Sequence, residues 1–202
     1  MFQNLFYLCL QMARLVEFDE EQAIRKAMEV FWKKGYTATS MRDLTDAMQI
    51  NSSSLYNTLG DKHRLFIRCI KQYTEMRIKT AEQRKADFDS PFKALASFIN
   101  DAVEIITTEN NTCLCIKASI EIDGDSEVQN IINGYDRFTH QFLKNLIESA
   151  QNENEIGKKE SADTLADYLT SLFVGWYNSY AIHQDRNKVQ AMADYVIHHL
   201  NR

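Results

Sequence analysis

Proline and glycine are scarce in this chain, and their scarcity limits its fold more than any other feature of the sequence. The 202 residues include 1 Pro and 6 Gly, while apolar residues make up 45%. Sheets joined by tight turns use both residues freely, whereas the interiors of helices avoid them. The sequence therefore predicts an all-α protein with enough apolar material for a sizeable core.

The charge and the cysteines narrow the class of protein. The formal net charge of -5 argues against a general basic coat for nucleic acid, although a local DNA-binding face remains compatible with it. The 4 cysteines form neither a dense disulfide framework nor a paired C-x-x-C zinc site. We therefore expect the reducing cytoplasm, no metal and no cofactor. No run of 18 apolar residues occurs, so neither a spanning helix nor a membrane partner is expected.

The first residues, MFQNLFYLCLQM, are unusually apolar. A signal peptide would place a basic residue before such a run, but the first basic residue, Arg14, follows it. Two interpretations remain, which are an extension of the first helix and an upstream start codon. We favour the second, with residues 1–11 preceding a natural start at Met12.

Capping signals predict four successive helices in the first part of the chain. Their predicted N-caps are Asp19, Ser40, Asn51 and Asp61. Gly35 and Gly60 are expected to close the first and the third helix. The second and third helices are short and only a few residues apart, which is the pattern of a helix-turn-helix.

The third of these helices lies in the stretch INSSSLYNTLG, residues 50–60. Leu55 and Leu59 have the i, i+4 spacing of buried residues, which leaves Ser52, Ser53, Tyr56 and Asn57 on the outer side. Small polar side chains let a helix approach the major groove closely. Hydroxyl groups can reach phosphates or base edges there, and Asn can bridge N6 and N7 of adenine.

Residues Phe18 to Phe66 resemble the DNA-binding domain of the TetR/AcrR family of bacterial transcriptional regulators. The residues that carry the resemblance are Gly35, Tyr36, Thr39, Ser40, Leu55, Tyr56, Lys62 and Leu65. It implies a three-helix helix-turn-helix DNA-binding domain over residues 12–62. An effector-binding and dimerisation domain, also helical, would then occupy residues 63–202.

The resemblance also implies which residues contact DNA. These are Thr39, Ser40, Arg42, Ser52, Ser53, Ser54, Tyr56, Asn57 and Lys62. Thr39 and Ser40 would meet phosphates at the start of the second helix, and Tyr56 and Lys62 match further phosphate contacts. The first turn of a helix favours a phosphate on physical grounds as well, which agrees with the position of Lys62.

Some residues depart from the family pattern. Gln49 replaces the turn glycine, which costs about 1 kcal/mol if that position needs a positive φ. Thr45 replaces a small alanine, and Leu59 replaces an aromatic residue. Residues 12–64 also carry eight basic and eight acidic side chains, so DNA specificity must depend on oriented contacts rather than on net charge.

The rest of the chain contains further amphipathic helices, including one with Pro91 near its start and a long one over Val128–Ala150. The last two, Leu165–Ile182 and Val189–Leu200, are rich in apolar residues that fit either a monomer core or an interface. The resemblance implies a homodimer through a four-helix bundle, and a twofold pair can read a palindrome. The predicted interface residues are Leu165, Leu169, Leu172, Phe173, Trp176, Tyr180, Val189, Met192 and Val196.

An effector cavity is predicted among aromatic residues, although such residues also form ordinary core. The candidates are Phe98, Cys113, Tyr135, Phe138, Phe142, Trp176 and Tyr177. Cys113 lies at a predicted helix start, with Lys117 one turn further on, and both features favour a thiolate. The thiol is therefore either a small core residue or a sensor of oxidants or electrophiles.

We predict a ligand-responsive transcriptional repressor that binds a palindromic double-stranded DNA operator as a homodimer. A small-molecule effector of unknown identity would release it, with the fourth helix carrying the signal. One alternative is a thiol-based redox or electrophile sensor, and another is a helical ligand-binding protein without DNA binding. No H-E-x-x-H, P-loop or G-x-S-x-G motif occurs, so we do not expect an enzyme.

Overall fold

A computed structural model describes residues 18–108, 113–122 and 124–201. The apolar stretch 1–11 and the expected start at Met12 lie outside these ranges. The helices of the described part are α1 (Glu20–Lys34), α2 (Met41–Met48), α3 (Ser52–Thr58), α4 (Lys62–Ala86), α5 (Pro91–Thr107), α6 (Leu114–Glu121), α7 (Ser126–Asn152), α8 (Ala162–His183) and α9 (Arg186–Leu200). No strand occurs within the described ranges, which confirms the all-α prediction.

The four predicted caps are present at the starts of α1 to α4. Asp19 accepts a hydrogen bond from the backbone N–H of Gln22, and Ser40 forms a reciprocal capping box with Asp43. Asn51 and Asp61 each accept a bond from the backbone three residues on. These side chains satisfy N–H groups that have no partner inside their helices, and they fix where each helix begins.

The later helices begin earlier than predicted. Ser161 caps α8 at Ala162, Asp125 caps α7 at Ser126, and Asp185 caps α9 at Arg186. The predicted starts at Val128 and Val189 are the first apolar residues of α7 and α9, whose first turns are polar. In α8 the first residue, Ala162, is apolar and buried, and the predicted start at Leu165 is the next apolar residue after it.

Two apolar clusters organise the molecule, and α4 contributes to both. The first cluster joins α1 to α4 with α6 and the start of α7, and Phe31 and Phe66 lie at its centre with their rings 4.9 Å apart. The second joins α5, α7, α8 and α9 around residues such as Leu143 and Trp176. Since Ile70 and Tyr73 lie in the first cluster and Ala81 lies in the second, α4 connects them mechanically.

None of the helices in the described part of the chain is both long and apolar enough to cross a lipid bilayer.

Candidate functional site

Helix α3 presents a polar face on a short, well-anchored support. Leu55 within it and Leu59 directly after it are buried, and they hold it against the first cluster. Ser52, Ser53 and Asn57 are exposed, and Tyr56 is 54% exposed. The exposed set predicted from the spacing of the leucines therefore lies together on one surface.

The turn between α2 and α3 depends on a left-handed residue. Gln49 has φ 58° and ψ 39°, and its backbone N–H donates to the carbonyl of Thr45. This is the positive φ that a glycine would adopt without strain. The turn therefore keeps the geometry of the family pattern although the residue differs.

The polar residues around α3 differ in how free their side chains are. The Asn51 carboxamide oxygen accepts from the Ser53 hydroxyl at 2.7 Å as well as from the Ser54 N–H at 2.8 Å. Ser40 Oγ donates to Asp43 Oδ2 at 2.8 Å. Arg42 is exposed, and its Nε lies 3.7 Å from Asp46 Oδ2. These groups can exchange partners on a solvent-exposed surface at small cost.

Thr39 does not fit the role predicted for it. Its side chain is 2% exposed, and its hydroxyl donates to the carbonyl of Gly35 at 2.6 Å. A phosphate contact through this hydroxyl would require the loop to open. Because Thr39 and Ser40 are adjacent polar residues at a helix start, the sequence does not distinguish the buried one from the exposed one.

Lys62 and Asp43 anchor the loop that precedes α2. The Lys62 ammonium lies 4.5 Å from the centroid of the Tyr36 ring and donates to the Thr37 carbonyl at 3.4 Å. Asp43 accepts from the Lys34 ammonium at 2.5 Å. That bond, followed by the bonds from Ser40, holds the pKa of the Asp43 carboxyl well below its usual range.

A cavity of about 280 Å³ lies among α4, α5, α6, α7 and α8. Of the seven residues predicted to line it, Phe98, Cys113 and Tyr135 do so. Phe142 and Trp176 are buried in the second cluster, Phe138 packs against that cluster, and Tyr177 does not reach the cavity wall. Only the packing of these helices against one another decides which aromatic residues face the cavity.

The sequence analysis missed the polar side of this cavity. The polar lining residues that it did not single out include Tyr73, Arg77, Thr80, Asp101, Cys115 and Thr139. Tyr73, Arg77 and Ala81 succeed one another at intervals of four residues along α4, so they share one face of it. That spacing was the available signal, since a polar residue lies within an otherwise apolar stripe.

Several hydrogen-bond donors converge on the Cys113 sulfur in the cavity wall. The Cys115 thiol is the strongest influence, and the Tyr73 hydroxyl and the backbone N–H of Ile116 add to it. These bonds lower the pKa of the Cys113 thiol, whereas the same bond and burial raise the pKa of Cys115. Cys113 is therefore the more acidic thiol of the pair, because its thiolate is the better solvated by donors.

Helix α6 extends from this cavity to the loop before α2. Cys113 and Cys115 lie at its cavity end. Further along, the Lys117 ammonium donates to the carbonyl of Trp32 at 2.7 Å, at the end of α1. The Glu121 carboxylate accepts from the backbone N–H of Thr37 at 3.2 Å. One short helix thus touches both the cavity and the support of the helix-turn-helix.

The predicted interface residues divide into two groups. Leu169, Trp176, Val189 and Val196 are buried inside the protomer, where they belong to the second cluster. Leu165, Leu172, Phe173, Tyr180 and Met192 are half-buried against the same cluster. The apolar side chains that α8 and α9 leave exposed are Tyr168, Val174, Ile182 and Tyr195. Both faces of α8 are apolar, so its sequence does not distinguish the core face from the outer face.

One group of side chains has the donors for a metal ion. His140, Asp163 and Asp167 place ligand atoms within 4.8 Å of one another on α7 and α8. The Lys144 ammonium already bonds Asp163 at 2.8 Å, and both carboxylates are exposed. A cation would have to compete with this lysine, so the group is read as a surface ion-pair network.

A helix-turn-helix with an exposed second helix, joined to a helical domain that contains a cavity, defines a DNA-binding transcriptional regulator. The family described as "Bacterial regulatory proteins, tetR family" matches residues 23–69. This match confirms the resemblance to the TetR family that the sequence indicates.

Full-length relatives agree with this assignment. The chain is 29% identical over 167 residues to the uncharacterized HTH-type transcriptional regulator YezE of Bacillus subtilis, covering 78% of this chain and 84% of the relative. It is 26% identical over 162 residues to the HTH-type transcriptional repressor ComR of Escherichia coli, covering 78% and 77%.

Solved structures share the fold. A TetR family regulator from Agrobacterium tumefaciens superimposes with a TM-score of 0.82 at 16% identity, over 90% of this chain and 97% of that one. A cysteine mutant of the regulator CifR, complexed with a 26bp double-strand operator DNA, gives a TM-score of 0.78 at 21% identity, over 92% and 98%.

Proposed function

We propose that this protein is a transcriptional repressor that binds a palindromic operator as a homodimer in the cytoplasm and is released by a small-molecule effector. The observation that carries the proposal is that α6 contacts both the cavity and the loop that precedes α2. Residues 12–62 would read DNA, and residues 63–202 would bind the effector and the second protomer. The repressor ComR, a relative over most of the chain, supports the direction of regulation.

The proposed DNA contacts are the exposed residues around α3. Ser52, Ser53 and Asn57 lie where side chains of a recognition helix meet base edges, with Ser54 beside them. A second proposed group, formed by Ser40, Arg42, Tyr56 and Lys62, surrounds them and would bind phosphates. In this proposal Thr39 has a structural role, because its hydroxyl donates to the Gly35 carbonyl within the loop.

The proposed signal travels along two helices. Helix α4 begins beside α3 and carries Tyr73 and Arg77 into the cavity wall. Helix α6 carries Cys113 and Cys115 at one end and the Lys117 and Glu121 contacts further along. A ligand that moves these helices changes the distance between two reading helices, which must match half-sites about 34 Å apart.

A gel-shift assay with DNA flanking the gene tests the proposal. We expect a discrete complex with a palindromic fragment, and competition by that fragment but not by a scrambled one of the same length. The double variant Tyr56→Ala/Asn57→Ala is the matched control, because both side chains are exposed and their loss leaves the fold intact. A chain that binds no fragment, or binds all fragments equally, would contradict the proposal.

A second trigger is favoured by one observation, the hydrogen-bond donors that converge on the Cys113 sulfur in the cavity wall. An electrophile that alkylates this thiolate would fill the cavity covalently. In that case N-ethylmaleimide should release DNA from the wild type and from Cys115→Ser but not from Cys113→Ser. Equal release from wild type and Cys113→Ser would remove the thiol from the mechanism.

A further inference from the structure

Arg77 brings a positive charge into the cavity wall. Its Nε is buried and has no hydrogen-bond partner, and its guanidinium bonds the hydroxyl of Tyr135. Within residues 18–108, 113–122 and 124–201, no carboxylate lies within 4.0 Å of this guanidinium. Arg77 is half-buried, so its charge is only partly solvated, and an anion that enters the cavity gains a partner there.

The two aspartates in the cavity wall do not pair with Arg77. Asp101 pairs with Arg84, which lies two turns beyond Arg77 on α4. Asp136 is exposed on α7 and forms no ion pair with Arg77. The positive charge of Arg77 is therefore available to a ligand.

The rest of the cavity is apolar. Its wall includes Phe98, Ile105, Ile106, Ile116 and Phe173. The volume of about 280 Å³ lies at the lower end of ligand-binding pockets. A small molecule with one anionic group and a hydrocarbon part would match both surfaces, since the guanidinium fork binds a carboxylate through two parallel hydrogen bonds.

We propose that the cavity binds a small amphipathic carboxylate, whose charged group pairs with Arg77 and Tyr135 and whose hydrocarbon part lies against Phe98, Ile106 and Phe173. The inference rests on the proposed function in one respect, which is that this carboxylate would be the effector that releases DNA. Binding itself is a separate property that can be measured without DNA.

Isothermal titration calorimetry with matched pairs of probes tests the proposal. The carboxylates are benzoate, phenylacetate and octanoate, and the neutral partners are benzyl alcohol, 2-phenylethanol and 1-octanol. We expect at least one carboxylate to bind the wild type at least tenfold more tightly than its alcohol. If no carboxylate binds, or if each alcohol binds as tightly as its carboxylate, the proposal is wrong.

Three variants of the cavity wall and one control variant locate the charge that is responsible. Arg77→Met keeps an apolar stem of similar length and should abolish the tenfold preference. Arg77→Lys keeps the charge without the fork, and Tyr135→Phe removes one donor, so both should reduce the preference in part. Lys79→Met removes a positive charge from an exposed position of the same helix and should leave binding unchanged.

The fold is checked by the urea midpoint of each variant. Arg77→Met should fold, because Arg77 is only half-buried and methionine keeps most of its apolar stem. If it does not fold, Arg77→Lys and Tyr135→Phe decide the question, and full preference in both overturns the proposal. A gel shift in parallel separates carboxylate binding from operator binding. A protein that binds a carboxylate but no operator would contradict the proposed regulator and not the proposed ligand.

Discussion

Glu121 and Thr37 are 84 positions apart in the chain, yet the Glu121 carboxylate accepts a hydrogen bond from the Thr37 backbone N–H. Thr37 lies in the loop between α1 and α2, and Glu121 ends the helix that begins at the cavity. The bond is possible because Gly35 has no side chain, since a Cβ there would lie 2.2 Å from Glu121 Oε1.

Gly35→Ala should therefore destabilise the protein by about 2–4 kcal/mol, measured by urea unfolding. Part of this loss is the strain of an alanine at φ 83° and ψ 165°, a backbone region that is essentially restricted to glycine and costs about 1–3 kcal/mol. The other part is the displacement of Glu121 and the loss of its hydrogen bond, also about 1 kcal/mol. Gly124→Ala is the matched control, because Gly124 has φ +79° but a Cβ there would contact nothing. Equal losses in the two variants would show that the Glu121 contact contributes nothing.

Tyr56→Ala and Asn57→Ala should affect DNA binding in different ways. A phosphate contact is common to all sequences, so Tyr56→Ala should weaken binding to specific and non-specific DNA alike. Asn57→Ala should instead relax the preference at individual base pairs, by about 1–3 kcal/mol each. Fluorescence anisotropy with single-substituted operators distinguishes the two. If Asn57→Ala weakens binding to all operators equally, Asn57 is not reading a base.

Ile182→Glu and Tyr195→Glu should each prevent dimer formation without unfolding the protomer. These residues are 74% and 62% exposed on α8 and α9, so the protomer core does not depend on them. Sedimentation at micromolar concentration should give a monomer with unchanged far-UV circular dichroism. Ile120→Glu is the control, because Ile120 is equally exposed but lies on α6. A dimer that persists in both variants would place the interface elsewhere.

Trp176→Glu should behave differently from these two variants. The indole is 2% exposed inside the second cluster, so a buried unpaired carboxylate should unfold the protomer. Loss of the cooperative thermal transition would be the measurement. A folded monomer would instead return Trp176 to the interface.

Acid should remove the contribution of Asp43 to stability. Because the Lys34 bond lowers the pKa of this carboxyl in the folded state, its contribution is complete above the unfolded value of about 3.9. It is lost as the pH falls through the folded pKa. The difference in unfolding free energy between wild type and Asp43→Asn should therefore be present at pH 7 and shrink below about pH 4. Asp46→Asn, on the same helix with its side chain 72% exposed, provides the comparison. If both differences vary with pH in the same way, the capping arrangement around Asp43 is not responsible.

Local signals predicted the first four helices well, and tertiary arrangements limited the rest. Asp19, Ser40, Asn51 and Asp61 act on residues three positions away, so their effect is visible in a short stretch of sequence. Whether Phe98 faces a cavity and Phe142 faces a core depends on how α5, α7 and α8 pack, which no local pattern records. The sequence did not single out Arg77 for a related reason. Whether a carboxylate lies beside its guanidinium depends on how the surrounding helices pack.

In α3, the residues that hold the helix in place differ from the residues proposed to contact DNA. Leu55 and Leu59 anchor this helix and Asn51 caps it, so its exposed residues contribute little to holding it in place. Substitutions at Ser52, Ser53 and Asn57 should therefore cost little folding stability, so selection on DNA binding can change these residues freely. A library randomised at these three positions should yield proteins of similar thermal stability but different operator preference, and so the reading surface is an adaptable part of an otherwise constrained scaffold.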